Sequence, residues 1–181
     1  MVNELEVLRI VVKRLDSAGV PYMITGSIAA NFYTTPRMTR DIDIVIEVTE
    51  NNADMLFSLF SDDFYIDKDA VRNAIRNKQI FNIIHNEGIV KVDFIIRKDT
   101  NYRKLEFERR RSIVFEGLKF NIASPEDLII SKLYWTKESL SEMQIRDVQN
   151  LMKTNLDLDI GYVEKWVKEL KLEYIYKEVN R

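Results

Sequence analysis

The segment Asp41-Ile42-Asp43-Ile44-Val45-Ile46 constrains this chain more than any other. Side chains alternate faces along a strand, so Asp41 and Asp43 share one side of a sheet while Ile42, Ile44 and Ile46 point into a core. Upstream, Pro21 opens a strand from Tyr22 to Thr25 that ends at Gly26-Ser27 and passes into a short helix, Ile28 to Tyr33. Two carboxylates side by side on a sheet surface repel each other and resist desolvation. A hard divalent cation relieves both problems, and carboxylate oxygens are the donors Mg²⁺ prefers. An isolated Asp-x-Asp reads most simply as a solvated strand end. Here a Gly-Ser turn precedes the pair and a third acid follows, which favours the metal.

That third acid is Asp93. The run from Ile89 to Ile96 reads as a strand with Val90, Val92, Phe94 and Ile96 on the core face and Lys91, Asp93 and Ile95 on the other. An acid within so apolar a stretch needs a reason. This strand pairs with Gln79 to His85 across Asn86-Glu87-Gly88, residues that tolerate positive φ. His85 reads as a strand residue. At the Gly26-Ser27 turn, free backbone N–H groups beside a glycine form an anion site, with the Ser27 hydroxyl as a further donor or simply as a helix cap.

Elsewhere the apolar spacing of Leu5, Leu8, Val11, Val12 and Leu15 predicts a helix over 4–18 stopped by Gly19. Thr49 is an N-cap candidate before a helix carrying Ala53, Leu56 and Phe60, and a further helix is expected from Ala70 to Asn77. The run 97–111 is rich in Arg and Lys and reads as a solvated helix and loop, with a polyanion contact as the lesser reading. A hairpin turns at Gly117. Ser124-Pro125-Glu126-Asp127 is a helix start, with Pro in the first turn and acids at the positive end of the dipole. Lys132 sits unusually within its apolar stretch. Helices from Met143 to Met152 and Ile160 to Lys171, the latter capped by Asp157 or Asp159, and a last turn from Glu173 to Val179 complete the chain.

The hydrophobic-Gly-Ser turn (Ile24, Gly26, Ser27) followed by Asp-Ile-Asp-Ile (Asp41 to Ile44) resembles the nucleotidyltransferase superfamily with the polymerase-beta-type fold. Arg37, Thr39, Asp41 and Asp43 match the Arg-x-Thr-x-Asp-hydrophobic-Asp pattern of small AbiEii-like nucleotidyltransferases. The resemblance implies an α+β fold: a nucleotidyltransferase-like mixed sheet of about five strands, helices packed on one side, and a helical C-terminal part. The core would span 1–122 and the helical extension 123–181, or the two would form one domain. It implies Asp41, Asp43 and Asp93 as catalytic metal ligands for Mg²⁺, with Mn²⁺ as a substitute. Gly26, Ser27, Arg37, Thr39 and Lys132 would bind the nucleotide, and Asp147 of an Arg-Asp pair in a later helix is a further site candidate. The NTP is the substrate.

Composition narrows the rest. There is no cysteine and a single histidine, which excludes thiolate zinc sites, cysteine nucleophiles and multi-histidine metal centres. A net charge of −2 gives no general attraction to nucleic acid. No apolar run is long enough to span a bilayer and no signal-peptide pattern opens the chain, so a cytoplasmic protein without a membrane is expected. The resemblance implies NMP transfer to an acceptor that is RNA or protein, as in a toxin-like enzyme with a partner protein from a neighbouring gene. The alternatives are a small-molecule adenylyltransferase of the antibiotic-modifying type and a non-catalytic nucleotide-binding or antitoxin module.

Overall fold

The structure is a computed structural model that describes residues 2–139 and 141–179. The first helix, α1 (Glu4–Ser17), begins with a reciprocal capping box between Asn3 and Glu6 and buries Val7, Leu8, Val11, Val12 and Leu15. Such a cap contributes about 1 kcal/mol, and each buried aliphatic side chain about 1.5–3 kcal/mol. Gly19 follows at φ +64°, the left-handed backbone that ends the helix.

Among the described residues, seven strands make one mixed sheet: β1 (Tyr22–Thr25), β2 (Asp41–Ile46), β3 (Phe64–Tyr65), β4 (Ile80–His85), β5 (Lys91–Ile96), β6 (Arg111–Phe115) and β7 (Leu118–Ile122). Their order across the sheet is β3-β4-β5-β2-β1-β7-β6. This exceeds the roughly five strands expected. β3 is a two-residue edge pairing Phe64 with His85, too short to show alternation in sequence. The β6–β7 hairpin joins through a single parallel bridge, Ile24 to Ile122, reinforced by Ala123 N–H donating to the Ile24 carbonyl at 2.9 Å.

The two sheet faces have different coverings. Ile42, Ile44, Ile46, Val92, Phe94 and Ile96 are buried on one. There α3 (Ala53–Phe60) sets Phe60 against Phe94 at 5.5 Å between ring centroids, and α4 (Lys68–Asn77) packs on α3 and β4. The other face carries Asp43 and Asp93. Beside it lie α2 (Gly26–Asn31), α5 (Asn101–Glu108), α6 (Pro125–Ser139), α7 (Glu142–Thr154), α8 (Ile160–Glu169) and α9 (Glu173–Val179). Helices therefore flank both faces, where one side was expected.

The basic run is only in part the solvated segment its composition suggests: Lys98, Lys104 and Arg111 are exposed, but Arg103 and Arg109 turn inward. The Arg103 guanidinium pairs with the buried Glu106 at 2.7 Å, while Arg109 reaches Asp127 at 3.1 Å and Glu126 at 3.4 Å. Asp127 is fully buried and accepts hydrogen bonds from the Ser124 hydroxyl at 2.7 Å and the Tyr162 hydroxyl at 2.7 Å. These arginines serve the interior, because a buried carboxylate is tolerated only when charge and hydrogen bonds satisfy it.

Candidate active site

β2 and β5 run parallel and in register, which places Asp43 opposite Asp93 and Asp41 opposite Lys91. With β1 and β4 a single row crosses the sheet: Thr25, Asp43, Asp93, Asn82. The three acids read from sequence thus share one face at the mouth of the strands. Asp43 is the most enclosed. Its carboxyl is pushed up to about 6, first by burial and then by the charges of Asp93 and Asp41. Lys132 and Lys91 pull it down more weakly.

Lys91 supplies what the acids lack. Its ammonium lies 2.8 Å from Asp93 Oδ2 and 3.7 Å from Asp41 Oδ1. The hydrogen bond to Asp93 raises the Lys91 pKa, favouring the charged ammonium. A cation therefore already stands among the carboxylates. Among the described residues, no three acidic or histidine side chains converge into a ready-made metal cage. The donor chemistry nevertheless fits a hard divalent ion: Asp43 and Asp93 adjoin, repel each other and carry only oxygen donors. Nucleotide oxygens would complete the coordination, as is usual where Mg²⁺ binds through one or two carboxylates plus phosphate.

Gly26 sits directly under Asp43. Its φ is +64°, and a Cβ built there would lie 2.8 Å from Asp43 Cγ and closer still to Oδ2. The glycine both turns the chain from β1 into α2 and leaves room for the carboxylate. Next to it, the Ser27 hydroxyl accepts from Arg37 Nη2 at 2.6 Å. Arg37 in turn grips Asp147 through Nε at 3.1 Å and Nη2 at 2.9 Å. Lys132, buried on α6, donates to the same carboxylate at 2.7 Å and to Gln144 Oε1 at 3.1 Å. Burial pushes the Asp147 carboxyl up, but hydrogen bonds from Arg37 and Lys132 outweigh it and hold the carboxyl below its usual range.

A cavity of about 270 Å³ lies between these groups, lined by Gly26, Ser27, Asp43, Asp93, Lys132 and Gln144 among others. Arg37 and Asp147 stand behind it as a clamp on Ser27 and Lys132. Thr39 lies in the loop just before β2, its hydroxyl 3.4 Å from the Asp41 carbonyl oxygen, and does not line the cavity. Sequence reasoning gave no role to Lys91 or Gln144. The alternation that put Asp93 on this face also put Lys91 there. Gln144 had no local signal, since only the α6–α7 packing brings it near Lys132.

Residues 4–178 match the model of a family described as nucleotidyl transferase of unknown function (DUF2204). The chain belongs to this family. No curated protein matches it in sequence. Among solved structures it is similar to an antigenic nucleotidyltransferase-like protein from Paracoccidioides brasiliensis, at 18% identity and a TM-score of 0.57, covering 96% of this chain and 90% of that one. It is also similar to ANT(2")-Ia in complex with adenylyl-2"-tobramycin, at 15% identity and a TM-score of 0.62 over 93% and 97% of the two chains. A third is the lincosamide antibiotic adenylyltransferase LnuA with lincomycin bound, at 15% identity and a TM-score of 0.58 over 85% and 99%. At these identities the likenesses concern the fold. The family match makes this chain a nucleotidyltransferase with a mixed sheet and flanking helices.

Proposed function

We propose that the protein transfers the NMP group of an NTP to a hydroxyl of a small-molecule acceptor, with Asp41, Asp43 and Asp93 as the metal-holding carboxylates. The observation that carries this reading is the in-register pairing of Asp43 with Asp93 across parallel strands, beside a glycine turn where any Cβ would press on the Asp43 carboxylate. Mg²⁺, or Mn²⁺ in its place, would there offset charge on the phosphoryl oxygens and orient the reacting groups.

The residues divide the work along the row. Gly26 and Ser27 lie on the β1 side and receive the β- and γ-phosphates, with Lys132 donating from α6 across the cavity. Arg37 holds the Ser27 hydroxyl, and Asp147 fixes Arg37 and Lys132 so that their charges are in place before the nucleotide arrives. Preorganised charge of this kind stabilises a phosphoryl transition state without reorganisation during the reaction. Asp93 lies on the β5 side. Freed from Lys91, its carboxylate takes the acceptor's proton as the acceptor oxygen attacks the α-phosphorus. The bond from that phosphorus to the β-phosphate bridging oxygen breaks, and pyrophosphate leaves.

Two observations favour a small acceptor over RNA or protein. A second, larger cavity adjoins the one lined by Asp43 and Asp93, and two arginines of the 97–111 segment, Arg103 and Arg109, are committed to internal acids. ANT(2")-Ia and LnuA, which share the fold, carry antibiotic adducts or ligands in their structures.

The test is the affinity of a non-hydrolysable ATP analogue in Mn²⁺ for wild type and Asp43→Ala. The variant should bind at least about 10-fold more weakly. Equal affinity in a folded variant removes Asp43, and with it this site, from nucleotide binding.

A further inference from the structure

The face that carries the acids continues into a cavity of about 690 Å³. It shares Thr25, Ile80, Ile95, Ser131 and Trp135 with the smaller one, so the two adjoin. Its floor is the next row of side chains along the sheet: Val45 pairs with Ile95, and Ile95 with Ile80. That row lies two residues from Asp43 and Asp93, or about 7 Å along the strands. Helices α5, α6 and α8 form the walls and contribute Tyr102, Trp135 and Trp166. The volume is that of small-molecule sites, which run from about 300 to 1,000 Å³.

The charges around this cavity are unequal. Its basic residues are Lys78, Arg97, Lys98 and Arg103, and its acids are Glu106 and Glu169. Glu106 is closed to a ligand: Arg103 holds one oxygen at 2.7 Å and the Ser131 hydroxyl donates to the other at 2.6 Å. Three of the basic residues are themselves paired, Arg103 with Glu106, Arg97 with Glu47 and Asp99, and Lys78 with Asp99, so an acceptor bearing several ammonium groups would find only the exposed Glu169 open to it among the lining acids. Burying such charges without partners is costly. An apolar or aromatic body would instead cover Val45 and Ile95 and stack near the tryptophans. Reaching from Ile95 toward Asp93 spans about 7 Å, the length of one ring substituent.

We propose that the acceptor is a small uncharged or anionic molecule with an apolar, commonly aromatic body and a free hydroxyl, and that polycationic acceptors are excluded. The hydroxyl oxygen forms the new bond to the α-phosphorus, pyrophosphate carries away the broken one, and the proton goes to Asp93. The inference rests on the transfer reading above and adds the class of acceptor to it.

A small-molecule extract of cells that express the protein is split by cation exchange into retained and unretained fractions. Each is incubated with full-length protein, Mg²⁺ and α-labelled NTPs, as are RNA and protein fractions. Label should appear on a compound of the unretained fraction. Val45→Phe on the floor and Leu170→Phe on the opposite wall should each reduce that product about 10-fold or more. Both should leave binding of the non-hydrolysable ATP analogue within about two-fold, which also reports an intact fold. Label on the retained fraction, on RNA or on protein overturns the proposal, as does no label in any fraction. Equal losses of analogue binding and product in both variants also overturn it, because the cavity would then hold the nucleotide. Failure of wild type to bind the analogue in Mn²⁺ refutes the transfer reading itself, so the two failures are distinguishable.

Discussion

Gly26→Ala adds one methyl group, yet the structure predicts a cost well beyond its size. Two effects add. At φ +64° an alanine occupies left-handed backbone, which costs about 1–2 kcal/mol relative to glycine. The new Cβ also falls 2.8 Å from Asp43 Cγ and nearer to Oδ2, so the Asp43 side chain must leave its position. Moving a carboxylate enclosed beside Asp93 costs about 1 kcal/mol more, the lower range of overpacking penalties. A double-mutant cycle separates the terms. Wild type, Gly26→Ala, Asp43→Ala and the double variant are unfolded in urea without metal. Shortening Asp43 removes the contacts to Cγ and Oδ2 and leaves only the 3.1 Å contact to its Cβ, so Gly26→Ala should cost about 1 kcal/mol less in the Asp43→Ala background. Additivity within about 0.3–0.5 kcal/mol would refute the contact and the reason given for a glycine here.

Further predictions concern the acids and their counter-ion. The Asp43 carboxyl, at about 6, lies above its unfolded value of 3.8, so its contribution to stability is full below that value and is lost as pH rises through 6. In metal-free urea titrations at pH 4 and 7.5, wild type should lose on the order of 2–3 kcal/mol relative to Asp43→Asn over that interval; parallel curves would contradict it. Asp93→Asn should leave binding of the ATP analogue nearly intact while slowing transfer on the order of 10²-fold or more, and wild-type transfer would remove Asp93 as proton acceptor. Lys91→Met removes the ammonium from between Asp41 and Asp93 and should tighten Mn²⁺ binding in the absence of nucleotide by about 10-fold. Unchanged Mn²⁺ affinity by calorimetry would mean that Lys91 does not occupy the cation position.

What the sequence made legible was local. Period-two alternation was enough to set Ile42, Ile44 and Ile46 into the core and to put Asp41, Asp43 and Asp93 on the opposite side of their strands. Helix starts at Ser124 and Asp159 follow from side chains capping backbone N–H groups a few residues on. The parallel register of β2 with β5 was not legible. Asp43 and Asp93 are joined by a long crossover, and nothing local specifies which residue faces which. The role of the charged residues was missed for the same reason. Arg103, Arg109 and Asp127 look solvated one by one, and only α5 lying against the start of α6 and α8 turns them into a buried network. Asp147 was legible as a candidate through resemblance alone. Its place behind Lys132 and Arg37 depends on α7 packing against α6, a contact set by apolar residues such as Val148 and Leu151.

The central claim is that the carboxylates on this sheet face bind nucleotide through a divalent ion, and titration of wild type with a non-hydrolysable ATP analogue tests it most directly. The heat of binding is followed in Mg²⁺, in Mn²⁺ and in excess EDTA, at pH 7.5, where Asp43 is ionised. The account predicts binding with either metal and a loss of at least about 10-fold in affinity in EDTA, because acids left without the ion repel the triphosphate. Equal affinity in all three conditions would contradict it: the nucleotide would then be held by Lys132, Arg37 and the Gly26-Ser27 turn alone.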